Sequence, residues 1–186
     1  VYAVAMALER NPAAAEAMVS AGWEIASHGF RWIDYQNVPE EEERRHIEAA
    51  VEVQRRVTGT RPLGIYQGKP NENTRRLVVE EGGFMYDSDA YSDDLPYWVH
   101  DFGKPHLVVP YTLVNNDMIF VRAANFPTPG SFFEHLKAAF DELMYEGQIG
   151  QPKMMSVGLH CRTAGMPGRA RAVADLPEGV PVYVAF

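Results

Sequence analysis

Short apolar runs that alternate with helix-starting punctuation constrain this chain more than any other feature. Residues 1–6 form an apolar run of strand length. Asn11 then precedes Pro12, a capping side chain before a ring that suits the first helical turn. Residues 13–21 are good helix formers, Gly22 ends the helix, and residues 23–27 are a second strand candidate. Strand, helix, strand predicts parallel pairing, because parallel neighbours need a crossover. The rhythm returns in a long amphipathic helix over 40–58, with Glu40, Glu41, Glu42 and Glu43 at its start and Arg55 and Arg56 near its end. That polarity matches the helix dipole, and the acidic run reads as a solvated first turn. A strand over 63–66, a helix over 73–82 and a strand over 84–86 follow. Between 91 and 126, Pro96, Pro105 and Pro110 and short apolar runs read as loops and small strands. The last elements are a helix over 131–146, with Phe133, Leu136, Phe140 and Leu143 as its core stripe, and strands over 154–159 and 180–186. No linker, repeat or low-complexity tract interrupts the chain, so the expectation is one α/β domain of barrel-like architecture. In such folds chemistry gathers where strands end and loops begin.

Composition narrows the function. The 186 residues, 46% of them hydrophobic, suffice for a buried core. A formal net charge of -8 argues against a nucleic-acid or anionic-membrane partner, which would need clustered Lys and Arg. No run approaches the roughly 20 apolar residues that span a bilayer. The single cysteine, Cys161, permits no internal disulfide and suits a cytoplasmic location. It is expected to be buried and inert.

Four segments carry candidate chemistry. His28, with Gly29, Arg31, Trp32, Asp34 and Tyr35, follows a strand; a histidine there is an acid, a base, a metal ligand or simply a structural residue. In Arg61-Pro62-Leu63-Gly64, the proline extends Arg61, which is either an aimed guanidinium or an exposed loop residue. Residues 86–98 interleave Asp87, Asp89, Asp93 and Asp94 with tyrosines and Trp98. Aspartates can orient an Arg or His, and aromatics such as Tyr91 can wall a flat heterocycle; a solvated turn is the plainer reading. The apolar run 154–159 delivers His160 and Arg162 at its end, the strongest local signal for a proton donor or acceptor. Asn115-Asn116-Asp117 reads as a polar turn able to line a pocket, and His46, His106 and His135 as surface or structural residues without convergent partners.

The order of His28-Gly29, Arg61-Pro62-Leu63-Gly64, 87–98 and Gly158-Leu159-His160 resembles the polysaccharide deacetylase superfamily, and more closely its allantoinase branch. The resemblance implies a distorted (β/α) barrel of the NodB type, here one incomplete catalytic domain over 1–186 that lacks the family's first strand and its C-terminal helix. It also implies a hydrolase of amide bonds in a small cyclic ureide, allantoin to allantoate. The alternatives are a metal-dependent deacetylase of N-acetylated sugars, a cyclic imide hydrolase and a non-catalytic ligand-binding homologue. Zinc deacetylases hold their metal with an Asp and two His at i and i+4. His28 matches the first His, but Trp32 stands at the second, and an indole N–H only donates. No cofactor is therefore expected. By resemblance, His160 protonates the leaving nitrogen, His28 positions water or oxyanion, and Arg61 orients an acidic partner. Trp32, Arg31, Asp89, Tyr91, Trp98 and Arg162 contact substrate. The family's base is an Asp on the first strand, so no residue here is assigned to it. The expected partners are the ureide and further copies of the chain in a homo-oligomer.

Overall fold

The long amphipathic helix forms over Glu40–Thr58 (α3), begins directly after Pro39 and closes at Gly59. Its buried side chains recur at Glu43, Ile47, Ala50, Val51 and Gln54, one face of a 3.6-residue period. Glu43 therefore faces inward. It is fully buried, accepts a hydrogen bond from Thr74 Oγ1, and departs from the solvated turn expected for this run. The other face of α3 is tied to α4 (Thr74–Glu81) by surface ion pairs, Arg44 with Glu80 and Arg76 with Glu40, which solvent screens.

The computed structural model describes residues 1–121, 128–174 and 183–185. They fall into two units, the first made of Val1–Ala90 and Pro96–Pro110, the second of Tyr91–Leu95 and Tyr111–Ala185. In the first unit, β1 (Tyr2–Ala3), β2 (Ala26–Ser27), β3 (Gly64–Ile65), β4 (Tyr86–Asp87), β5 (Tyr97–Val99) and β6 (His106–Val108) lie in the order β5-β6-β4-β3-β2-β1. The pairs from β1 to β4 and β4 to β6 are parallel, as the strand–helix rhythm predicts; β5 runs antiparallel at the edge. The first strand is shorter than expected. After Ala3 the chain turns into α1 (Ala5–Arg10), and Asn11 then caps α2 (Pro12–Ser20) by accepting from Ala14 N at 3.3 Å. Ile47, Val51, Leu77 and Val78 close over Ile65 and Phe84, while Leu8, Ala15 and Met18 pack with Ala3 and Ile25. Each large aliphatic buried this way contributes about 1.5–3 kcal/mol.

Strand register leaves one close approach. Gly64 lies opposite Tyr86, and a Cβ on Gly64 would stand 1.9 Å from the Tyr86 ring, whose hydroxyl donates to Glu24 at 2.8 Å. Gly64→Ala is expected to displace the ring and lower stability by about 1–3 kcal/mol, read as an earlier urea midpoint with an unchanged slope.

In the second unit a short 3₁₀ turn (Asp117–Val121) precedes α5 (Pro129–Gln148), β7 (Gly158–His160), α6 (Cys161–Ala164), α7 (Pro167–Ala174) and β8 (Tyr183–Ala185). β7 and β8 pair in parallel. Thr128 and Ser131 cap α5 reciprocally. Its core residues are Phe132 and Leu136, packed on Val157, Leu159 and Ala164; Phe133, Phe140 and Leu143 are only half-buried, so the inner face sits one residue earlier than the expected stripe. The strand expected over 154–159 is confined to its end. Of the strand expected over 180–186, only Tyr183–Ala185 is described; residues 122–126, expected as loop or strand, lie outside the described residues.

Candidate active site

Parallel strands place the residues that follow them on one edge of the sheet. His28 follows β2, Tyr66 and Gln67 follow β3, and Ser88 and Asp89 follow β4. Backbone bonds propagate this edge: His28 N donates to Ala3 O, Tyr66 N to Ser27 O, and Ser88 N to Ile65 O. Tyr2, from β1, joins Ser88 Oγ through its hydroxyl at 2.7 Å.

His28 is buried. Its Nδ1 lies 2.5 Å from the Tyr66 carbonyl, and its ring stacks on that of Tyr66, centroids 5.1 Å apart and 8° from parallel. A carbonyl only accepts, so Nδ1 carries the proton and the lone pair of the neutral ring sits on Nε2. Gly29 turns the chain with φ +73°, and a Cβ there would meet the buried Gln67 amide at 2.8 Å. Beyond it Arg31 is exposed, with its guanidinium 5.5 Å from the Phe30 ring centre. Trp32 is 60% exposed under the Lys69 ammonium, so its indole fills no buried space. Tyr35, fully buried, bonds His46 Nδ1 at 3.0 Å.

Asp89 accepts from Gln67 N and Gly68 N, both at 2.7 Å. Burial pushes its carboxyl up to about 7, against the lowering effect of those two bonds. Two residues before it, Asp87 forms a buried ion-pair cluster. It takes Arg75 Nε at 2.8 Å and Nη2 at 3.1 Å, and His106 Nε2 at 3.1 Å. Burial raises the Asp87 carboxyl, but the bonds from His106 and Arg75 outweigh it and hold the group below the usual range. His106 thus has a convergent partner, contrary to expectation. A cavity of about 300 Å³ opens beside this cluster, lined by Arg75, Asp87, Asp89, Val99 and Phe102 among others.

Arg61 meets an acidic partner, but not at the strand ends that carry His28. It precedes β3, so it lies at the opposite end of the parallel strands from His28. Its Nη2 pairs with Glu81 at 2.7 and 2.9 Å, and a Cβ on Gly83 would stand 1.8 Å from the guanidinium. This is a structural clamp between the approach to β3 and the end of α4. Trp98 lies on edge strand β5, 60% exposed.

In the second unit, His160 ends β7 as the strand-end position predicts. Its Nδ1 lies 2.6 Å from Asp117 Oδ1, while Asp117 Oδ2 accepts the backbone N–H groups of His160 (2.8 Å) and Ala164 (3.0 Å). Asp117 is fully buried. The carboxylate therefore fixes the ring with a proton on Nδ1 and leaves Nε2 to exchange a proton, the orienting logic of acid/base dyads. Neighbouring Asn116 donates to Tyr111 Oη at 3.0 Å, and burial pushes the Tyr111 phenol up to about 12. Tyr91 meets the Tyr111 ring edge-on at 6.3 Å. Arg162 is exposed in α6. Cys161, expected to be buried, is exposed as well, because the chain turns into a helix directly after His160 and strand alternation stops there.

Asp117 is the candidate site residue that local reading undervalues. It stands 43 residues before its partner, in a polar turn that carries no periodic signal. Arg75 and the pairing of His106 with Asp87 carry no local signal either, although the aspartate segment itself does.

Zinc lacks a ligand set among the described residues. His28 keeps a lone pair on Nε2, but Trp32 stands four residues on and cannot ligate, and among the described residues no three His, Cys, Asp or Glu side chains converge as a metal site.

Residues 1–82 match the polysaccharide deacetylase family model. A Schizosaccharomyces pombe protein named provisionally as a polysaccharide deacetylase is 40% identical over 96% of this chain and 61% of its own length. The crystal structure of a Puue allantoinase superposes with a TM-score of 0.88 at 55% identity, over 92% of this chain and 57% of that one. A probable polysaccharide deacetylase from Pseudomonas aeruginosa PAO1 gives the same TM-score of 0.88 at 54% identity, over 93% and 58%. The chain thus spans about three-fifths of the length of these relatives. The expected α/β fold of the NodB type is borne out at this level of superposition. The chain thus matches the polysaccharide deacetylase family over residues 1–82 and carries the fold of these relatives.

Proposed function

We propose that this protein hydrolyses the ring amide of a small cyclic ureide, with allantoin as the first substrate to test and the open-chain acid as product. The observation that carries the reading is the His160–Asp117 dyad. Water gives up a proton as it adds to the ring carbonyl, the tetrahedral oxyanion collapses and the carbon–nitrogen bond breaks. The departing nitrogen takes the Nε2 proton of His160 in its imidazolium form, leaving the ring neutral with its remaining proton on Nδ1 toward Asp117. In this reading His28 Nε2 accepts a proton or hydrogen bond from the attacking water, and Trp32, Arg31, Tyr91, Trp98 and Arg162 offer contacts to the ring. The water-activating base is assigned to no residue of this sequence. The 55% identity to an allantoinase supports the substrate class, and Trp32 supports chemistry carried by side chains. The single cysteine accords with a cytoplasmic setting, where such a reaction serves purine breakdown.

A second reading has a specific support. The Pseudomonas aeruginosa relative, equally similar, is described as a probable deacetylase, and release of acetate from an N-acetylated sugar uses the same water attack. Turnover of allantoin, hydantoins, cyclic imides and N-acetylglucosamine oligomers, each with and without a chelator, separates the two. Chelator-resistant opening of a ring is the expected result. Acetate release that stops on chelation would replace the ureide reading by the deacetylase one.

A further inference from the structure

We propose that Asp89 is a positioning residue for His28, acting through the Gln67–Gly68 turn, and not a ligand of the substrate. This rests on the role given to His28 above. Both Asp89 oxygens are engaged with main chain, one on Gln67 N and one on Gly68 N, at 2.7 Å each. The turn they hold is the surface against which His28 sits. Gly68 takes φ +82°, and a Cβ on it would stand 3.0 Å from His28 Cε1. Tyr66, immediately before the turn, supplies both the carbonyl that fixes His28 Nδ1 and the ring stacked on the imidazole.

Asp89 is itself braced from below. Its N–H donates to Asp87 Oδ1 at 3.0 Å, and its carbonyl accepts from Arg75 Nη2 at 3.2 Å. The path is therefore continuous: the Asp87–Arg75 cluster holds the Asp89 backbone, the Asp89 carboxylate holds the turn, and the turn sets the imidazole. The two shortest bonds of the Asp89 carboxylate are spent on neighbouring amides, which two parallel acceptors match and one acceptor cannot. An asparagine at 89 presents a single oxygen and an NH₂. One of the two N–H groups then faces a donor and swings away, taking Gly68 and the His28 ring with it.

The test is Asp89→Asn beside Gly68→Ala, which presses on the same ring from the turn itself. For each, kcat and KM on the ring substrate are measured, and the His28 imidazole nitrogens are followed by ¹⁵N NMR, assigned with a His28→Gln variant. Both variants are expected to shift or broaden the His28 signals and to lower kcat about 10- to 100-fold with KM nearly unchanged. Unmoved His28 signals in folded Asp89→Asn, or a rise in KM alone, would overturn the proposal and return Asp89 to substrate binding. The two readings fail separately. If the unaltered protein turns over no ureide while the His28 signals still move in both variants, the positioning role stands and the substrate assignment falls. If ureide turnover depends on His28 while Asp89→Asn retains full kcat, the substrate assignment stands and the positioning role falls.

Discussion

His160→Ala is expected to lower turnover of the ring substrate by about 10²- to 10⁴-fold, the range a positioned acid/base supplies, with a much smaller change in KM. The reason is that Nε2 is the atom left to deliver a proton once Nδ1 is committed to Asp117. Asp117→Asn sharpens the test without removing the imidazole. Two backbone N–H groups, from His160 and Ala164, converge on Asp117 Oδ2. They require an oxygen there, so the asparagine must present its NH₂ to Nδ1. The neutral ring then takes the opposite tautomer, and the imidazolium that must give up the Nε2 proton loses the carboxylate its Nδ1–H faces. A loss in kcat of similar order is expected, with the fold retained by circular dichroism. Full turnover in either variant would remove His160 from the proton path.

Asp87→Ala carries the largest expected effect on stability, about 3–5 kcal/mol, because it strands Arg75 and His106 without their shared acceptor. The loss is read from urea unfolding at neutral pH. Its pH dependence has a definite sign. The Asp87 carboxyl is held below its ordinary value of 3.8 in the folded protein, burial notwithstanding, by His106 and Arg75. Its contribution is therefore complete above that value and is lost as pH falls through the lower, folded-state value. The gap between the unaltered protein and Asp87→Ala should hold constant above about pH 5 and narrow in acid. A gap that widens as pH falls would mean that the cluster is not anchored by an ionised Asp87.

The comparison of sequence and structure divides along the range of the interactions. The Glu40–Thr58 helix, the Thr74–Glu81 helix and the parallel pairing of the first strands were legible because period, capping and crossover are local properties. So was the delivery of His160 at a strand end. Elements that depend on what packs against them were less so. Glu43 sits in an acidic run that looks solvated, yet it occupies the inner face of its helix, where Thr74 receives it. Phe132 takes the buried place from Phe133, a rotation of one residue that composition alone does not resolve.

Two residues show the same division at the site. Arg61 reads from sequence as either an aimed guanidinium or a loop residue, and its position before β3 gives it to Glu81, away from His28. Asp117 looked like a turn residue, yet it is the acceptor that sets His160. From residues alone come the α/β class, the strand-end histidines, and the indole at the position where a zinc deacetylase holds its second imidazole. Only the folded chain decides which carboxylate meets which base, since those partners stand 12 to 43 residues apart and no local rule brings them together.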